Sequence, residues 1–233
     1  MTKGLVYYSD CRADPEILSA VRRLILRSCN GHQVVSVTLQ PVDLGTNLVL
    51  PLQRSRLSMF KQILAGLTML DTDIAFLVEH DVLYNPTHFA FDPPRRDVYY
   101  YNRHTWRVDA KTGQALFYLC DNTSGLCADR GLLLEHYRRR VDRTEREGYD
   151  HQTGYEPGKH HPPHGIDRVP VATWMSERPL VDIRHRHNLT ASRWDPSQFR
   201  NKNSCLGWQM ADEIPGWGVT KGRFREWLRE VTT

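Results

Sequence analysis

Three side chains that can hold a proton or a metal ion follow one another at Glu79, His80 and Asp81. They belong to residues 74–84, where a short apolar run predicts a buried strand whose end opens into a crevice. Because strand side chains alternate, Glu79 and Asp81 should point to one side and His80 to the other. Two carboxylates placed in this way could hold Mg²⁺ or Mn²⁺. A salt-bridged loop is the alternative interpretation.

The elements before this strand should bring other polar groups to the same place. Apolar and β-branched runs predict strands over 4–8 and 33–39, and helical spacing predicts helices over 15–28 and 57–70. Strands that alternate with helices in this order are typical of the nucleotide-binding half of an open α/β sheet. Asp10, which follows the first strand, should therefore lie on the same side of the sheet as Glu79 and Asp81.

The second half of the chain has shorter and less regular elements, but we expect it to complete a single domain over residues 1–233. An arginine-rich helix and a long loop rich in Gly, Pro and His stand out, and a loop of this length is usually functional. In order, the predicted parts are short β segments over 97–120 in a mixed or antiparallel part of the sheet, a helix over 132–146, the loop over 148–170, a strand over 180–184 and an irregular tail from 194 that ends in a short helix.

The composition excludes several classes of protein. Hydrophobic residues make up 40% of the chain and charged residues 25%, which excludes wholesale disorder and fibrous proteins. Five cysteines without a C-x-x-C pair indicate reduced thiols and not a disulfide framework. The net charge of +4 permits a polyanionic partner but does not require one. No apolar run is long enough for a signal peptide or a membrane span, so we expect a cytoplasmic protein without a membrane partner.

In this ordered context, Glu79, His80 and Asp81 resemble the Asp-x-Asp motif of GT-A fold nucleotide-sugar glycosyltransferases. The resemblance extends in order of elements from about residue 4 to residue 140, and Ser124 and Gly125 are similar to the acceptor-side segment of those enzymes. It implies an α/β, GT-A-like open mixed sheet with a Rossmann-like N-terminal half, helices on both faces and an irregular C-terminal tail. It also implies a nucleotide-sugar-binding half over 1–96, an acceptor-side half over 97–193 and a tail over 194–233.

The resemblance also implies roles for particular residues. Asp81 would bind the metal directly with Glu79 as its partner, and His185 would complete the coordination, with His187 as the competing candidate. If the transfer inverts the anomeric centre, a carboxylate must remove the proton of the acceptor hydroxyl, and Glu177 or Glu156 would be that base. The residues implied to bind the nucleotide sugar are Ser9, Asp10, Arg12, Arg56, Lys61 and Glu79.

The sequence thus predicts a hexosyltransferase-like enzyme that uses Mn²⁺ or Mg²⁺ and a nucleotide sugar, with a UDP-sugar as the expected donor. Its arginine-rich helix and tail resemble phage-type enzymes that glycosylate 5-hydroxymethylpyrimidines in DNA, which would place it in the host cytoplasm. The alternatives are a glycan or saccharide acceptor, a non-catalytic nucleic-acid-binding protein, or a zinc hydrolase built on the histidines of the long loop, which are His151, His160, His161 and His164.

Overall fold

The computed structural model describes residues 1–150 and 152–232 as an α/β protein with two main sheets. In chain order the strands are β1 (Lys3–Ser9), β2 (Gln33–Thr38), β3 (Thr46–Val49), β4 (Ile74–Glu79), β5 (Val82–Leu83), β6 (Tyr99–Asn102), β7 (Thr105–Asp109), β8 (Ala115–Phe117), β9 (Leu126–Asp129), β10 (Val171–Trp174), β11 (Leu180–Arg184), β12 (Gln209–Ala211), β13 (Glu213–Ile214) and β14 (Gly218–Val219). The helices are α1 (Pro15–Ser28), α2 (Arg56–Met69), α3 (Pro86–Phe89), α4 (Arg130–Glu147) and α5 (Phe224–Thr232).

The larger sheet has seven strands in the order β10-β6-β9-β4-β1-β2-β3. The strands β3, β2, β1 and β4 are parallel, and β9 runs antiparallel to β4 and β6. This confirms the predicted open mixed sheet with a Rossmann-like N-terminal half. The strand β3 lies between the predicted strand over 33–39 and the predicted helix over 57–70, where no element was predicted, because a four-residue edge strand carries little periodic signal.

The second sheet has five strands in the order β12-β8-β7-β11-β5. The β segments predicted over 97–120 therefore divide between the two sheets, with β6 in the larger one and β7 and β8 in the smaller one. The tail ends in α5, as predicted, but it is more ordered than expected before that helix, since it contributes β12 to this sheet.

Helices cover both faces of the larger sheet, as predicted. Alternate residues of β1 point to opposite faces, so Leu5 and Tyr7 pack with α1 while Val6 and Tyr8 pack with α2 and α4. The approach of α2 is close, because a Cβ atom at Gly66 would lie 2.4 Å from Cγ1 of Val6. This packing fixes the N-terminus of α2 beside the carboxyl ends of β1 and β4. None of the described helices has the length and apolar content to cross a membrane.

The buried histidine of α3 predicts a measurable effect of pH on stability. His88 is 0% exposed, stacks on Trp174 and accepts a hydrogen bond from Asn102. Burial lowers its pKa from 6.5 to about 3. Between these values the unfolded chain binds a proton that the folded chain does not, so the contribution of His88 to stability is complete above pH 6.5 and falls as the pH decreases.

We expect acidification from pH 7 to pH 5 to cost the wild type about 2 kcal/mol more unfolding free energy than it costs His88→Gln, at 1.36 kcal/mol per pKa unit. Urea unfolding of both proteins at the two pH values measures this difference. Glu79 has the opposite effect because burial raises its pKa to about 8, but it is common to both proteins and cancels. Equal pH responses of the two proteins would contradict the prediction.

Candidate functional site

The site forms where β1 and β4 end side by side. These strands are parallel neighbours with Tyr8 opposite Glu79, so the residues that follow them emerge at the same edge of the sheet. Asp10 follows β1, and His80 Nε2 lies 3.9 Å from its Oδ1 atom. Arg54, just before α2, donates to the other carboxylate oxygen of Asp10, Oδ2. Although burial opposes ionisation, the hydrogen bond from Arg54 and the nearby His80 hold the pKa of Asp10 below its ordinary value.

Potential metal ligands meet at this edge. Ligand atoms of His80, Asp81 and His185 all lie within 4.8 Å of one another, and Asp81 Oδ2 is 3.3 Å from His185 Nε2 and 4.0 Å from His80 Nε2. The prediction that His80 points away from Asp81 is wrong because β4 ends at Glu79 and a turn follows, so strand alternation does not extend to His80. Burial opposes ionisation of Asp81, but His80 and His185 keep its pKa below the ordinary value.

His185 provides the test of whether this group suits a metal. Its side chain is 6% exposed, and its buried Nε2 atom has no hydrogen-bond partner among the described residues although it lies beside the Asp81 carboxylate. A buried nitrogen without a hydrogen bond costs free energy, and coordination of a cation would satisfy it. Its Nδ1 atom accepts the backbone N–H of His187, so coordination through Nε2 would move the ring proton to Nδ1 and break that contact.

Glu79 lies outside this group of metal ligands. Its Oε1 atom accepts a hydrogen bond of 2.6 Å from the Tyr8 hydroxyl, and its backbone N–H donates to the Tyr84 hydroxyl. Burial and the charge of Asp81 raise the pKa of Glu79 to about 8. The motif-based expectation of a Glu79 and Asp81 ligand pair therefore differs from the geometry, in which two histidines stand beside Asp81.

A cavity of about 460 Å³ opens beside these residues. Its walls include the ends of β1 and β4, the start of α2, part of α4, the second sheet and the segments 154–156 and 187–194. Guanidinium groups are concentrated there, which suits an anionic ligand because arginine stays charged and binds phosphate and carboxylate groups through paired hydrogen bonds. The lining arginines are Arg54, Arg56, Arg107, Arg140, Arg184 and Arg193.

The segment after β11 lies over the metal-ligand group. The side-chain amide of Asn188 donates to Asp81 Oδ2 over 2.6 Å, and its Oδ1 atom accepts a hydrogen bond from the backbone N–H of His185. Arg54 donates to the carbonyl of His187, and Arg56 donates to the carbonyl of Leu189 over 2.9 Å. The start of α2 and the segment after β11 are thereby held together across the mouth of the site.

The residues that were implied to bind the nucleotide sugar fall into two sets. Ser9, Asp10, Arg56 and Glu79 line the cavity. Arg12 is exposed outside the lining, and Lys61 faces α4, where its Nζ atom lies 2.6 Å from Glu145. Lys61 is therefore engaged elsewhere than Arg56, since residues that share a face of a helix are three or four positions apart and these two are five apart.

The two candidate bases occupy different environments. Glu156 lines the cavity and accepts a hydrogen bond from the Thr123 hydroxyl, and burial raises its pKa. The loop that carries Glu156 is fixed by the Tyr101 hydroxyl, which donates to the carbonyl of Pro157 over 2.7 Å. Glu177 is exposed and lies outside the cavity lining. The geometry thus brings Glu156 to the site and leaves Glu177 away from it.

The histidines of the long loop do not assemble into a metal site in the described part of the chain. The group of His80, Asp81 and His185 is the only one found there with three possible metal ligands. His160, His161 and His164 are exposed, and His151 lies outside the described residues. His187 lines the cavity but is not a member of the group, so His185 is the better placed of the two late histidines.

Sequence reasoning missed several residues of the cavity. Arg107, Asp182 and Arg184 come from β7 and β11 of the second sheet, and His80 was set aside on the alternation argument. A charged residue within an otherwise apolar short strand was the available signal, because such positions are usually apolar when they are buried.

Comparisons with known proteins find distant similarity to several solved structures. No protein-family model matches the sequence, and no curated protein matches it. A glycosyltransferase involved in the glycosylation of the major capsid of PBCV-1 is similar over 78% of this chain and 92% of that chain, with 13% identity and a TM-score of 0.49. The apo-form glycosyltransferase GlyE of Streptococcus pneumoniae TIGR4 is similar over 68% of this chain and 41% of that chain, with 14% identity and a TM-score of 0.38.

A third solved structure, HddC from Yersinia pseudotuberculosis, is similar over 78% of this chain and 93% of that chain, with 7% identity and a TM-score of 0.41. Similarities at this distance do not assign a function. The functional interpretation therefore depends on the chemistry of the site itself.

Proposed function

We propose that this protein is a metal-dependent glycosyltransferase that moves a sugar from a nucleotide-sugar donor to a hydroxyl acceptor. The observation that carries the proposal is the group of His80, Asp81 and His185 at the end of β4, beside a cavity lined by six arginines. A nucleoside diphosphate that leaves in such a reaction accumulates negative charge. Cationic groups fixed around it stabilise the transition state more than the ground state.

The metal-binding residues in this proposal are Asp81, His80 and His185. When bound, a divalent cation would neutralise charge on the leaving diphosphate as a Lewis acid. Two imidazoles and one carboxylate favour Mn²⁺ over Mg²⁺, because Mg²⁺ prefers an all-oxygen shell. Glu79 supports the site through Tyr8 and is not assigned as a direct ligand.

The donor would lie along the edge formed by β1 and α2. In this proposal Ser9 and Asp10 meet the nucleoside, and Arg54 and Arg56 at the start of α2 meet phosphate oxygens; the support for it is that all four line the cavity. A helix N-terminus adds partial positive charge at that point. We assign a UDP-sugar as the donor, on the family resemblance of the strand-end motif.

Glu156 is the residue that we assign as general base if the transfer inverts the anomeric centre. It lines the cavity, and the Thr123 hydroxyl and the backbone around Pro157 hold it in place. A raised pKa brings a carboxyl group closer to the pH at which it accepts protons efficiently. Glu177 is a weaker assignment because it is exposed outside the cavity.

The acceptor classes to be compared are a 5-hydroxymethylpyrimidine in DNA and a saccharide hydroxyl. The decisive experiment incubates the protein and Mn²⁺ with a panel of nucleotide sugars and with either hydroxymethylcytosine DNA or a panel of saccharides, and reads products by mass spectrometry. A sugar attached to the nucleoside supports DNA modification, and a lengthened saccharide supports the other class. If no nucleoside diphosphate binds in the presence of any divalent metal, as measured by isothermal titration calorimetry, the proposed function is wrong.

A further inference from the structure

The second sheet places a buried and unpaired guanidinium in the wall of the cavity. Arg107 lies on β7, is 6% exposed and lines the cavity. Among the described residues its one hydrogen bond is a long contact of 3.5 Å from Nη1 to the carbonyl of Tyr118. Within residues 1–150 and 152–232, no carboxylate oxygen lies within 4.0 Å of its nitrogen atoms. A buried charge without a partner is costly, and arginine cannot lose its charge to avoid that cost.

The neighbouring strand does not supply the missing partner. Asp182 on β11 is opposite Arg107 in the parallel pair, so both side chains point to the same face of the sheet. Asp182 is instead paired with Arg184, whose Nη1 atom lies 3.3 Å from both carboxylate oxygens of Asp182. Arg184 is two residues further along β11 and shares the same face. Asp182 is thus engaged by Arg184, and in the described part of the chain the charge of Arg107 is left without an ion-pair partner.

Aromatic packing holds Arg107 in this position but does not neutralise it. Its guanidinium lies 3.7 Å from the centroid of the Tyr118 ring. Trp208 stacks on Tyr118 with ring centroids 5.5 Å apart and planes within 12°. Cation–π contact of this kind partly offsets the desolvation of arginine and fixes the plane of its donors. The remaining N–H groups are thereby aimed in advance at a ligand in the cavity.

We propose that Arg107 binds an anionic group, a carboxylate or a phosphate monoester, carried by the acceptor. This inference rests on the proposed function, since it assigns β7 of the second sheet to the acceptor. The metal-ligand group lies at the β5 edge of that sheet, because Asp81 comes directly before β5 and His185 directly after β11, whereas Arg107 lies on β7, with β11 between it and β5. Arg54 stands beside the same group, since it donates to Asp10, and Oδ1 of Asp10 lies 3.9 Å from His80 Nε2. The donor diphosphate would be met there, and Arg107 is left to meet a second charge.

Isothermal titration calorimetry on the full chain loaded with Mn²⁺ and UDP tests this assignment. The probes are inorganic phosphate and glucuronate, with glucose as the neutral counterpart of glucuronate. We expect glucuronate to bind the wild type at least about tenfold more tightly than glucose, a difference of about 1.4 kcal/mol. Arg107→Gln should lose that preference and bind phosphate at least about tenfold more weakly. The matched control is Arg103→Gln, because Arg103 is paired with Asp121 outside the cavity lining, and it should behave as the wild type.

Other outcomes overturn the assignment in recognisable ways. If Arg107→Gln loses affinity for UDP instead of the probes, the anion is the donor diphosphate. If glucose binds as tightly as glucuronate, or if Arg107→Gln binds the anions normally, Arg107 is not an anion site. If the wild type binds no nucleoside diphosphate with any metal, the proposed function is wrong, but phosphate binding to the protein alone still tests Arg107.

Thermal unfolding separates a ligand-binding role from a structural role. Removing an unpaired buried charge should leave the melting temperature of Arg107→Gln equal to or above that of the wild type, because residues kept for binding often cost stability. A melting temperature several degrees lower would mean that Arg107 serves to hold Tyr118, and would overturn the proposal.

Discussion

Asp81→Asn should abolish Mn²⁺-dependent binding of UDP, with a loss of affinity of about a hundredfold or more. Asp81 is 7% exposed and is the one carboxylate in the group that also contains His80 and His185. Asparagine keeps the size of the side chain but removes the negative charge that a divalent cation requires. Isothermal titration of UDP into protein with and without Mn²⁺ measures the effect. Metal-independent UDP binding that is equal in the two proteins would contradict it.

Two pairs of variants show which residues accompany Asp81. Glu79→Gln keeps an oxygen that can accept the Tyr8 hydroxyl, so we expect UDP affinity to change by less than about tenfold. If Glu79→Gln loses as much affinity as Asp81→Asn, the ligands are the carboxylate pair that the sequence motif suggests.

His185→Ala should weaken Mn²⁺ binding at least about tenfold, whereas His187→Ala should not, because the His187 ring lies outside the ligand group.

The parts of the fold that follow from local sequence were predictable. The helix over residues 15–28 has an apolar face, and Asp14 caps it by accepting the Glu16 amide. The strand that ends at Glu79 is a continuous buried run, as expected for a strand covered on both faces. Because parallel strands end at one edge, the meeting of Asp10 with the residues after Glu79 also followed from the order of elements.

The parts that depend on the path of the chain after a strand were not predictable. The observed orientation of the His80 side chain differs from the predicted one because β4 ends one residue earlier, at Glu79. In a strand, a shift of one residue reverses the face on which a side chain lies. Arg107 and Asp182 became neighbours only when β7 and β11 paired, although they are 75 residues apart in the sequence. Such long-range pairing depends on tertiary packing that one sequence does not reveal.

The C-terminal helix is another element whose importance the sequence understated. Trp227 is 1% exposed, its indole N–H donates to the carbonyl of Trp217 over 2.7 Å, and its ring packs against Phe224. The end of the helix is bound to α1, since Arg27 donates to the carbonyl of Thr232 over 2.6 Å. The short helix that was predicted at the end of the tail therefore completes the core on the α1 face of the sheet.

Trp227→Ala should lower the free energy of unfolding by about 3–5 kcal/mol, the usual cost of removing a fully buried tryptophan. Urea unfolding followed by circular dichroism measures the change. Trp227→Phe is the matched control, because it keeps most of the buried ring but removes the donor to Trp217, and it should cost only part of that amount. If Trp227→Ala costs less than about 1 kcal/mol, on the scale of an exposed substitution, the tail does not belong to the cooperative core. A large loss with Mn²⁺-dependent UDP binding retained in native conditions would separate this structural role from the site, since Trp227 lies outside the cavity lining.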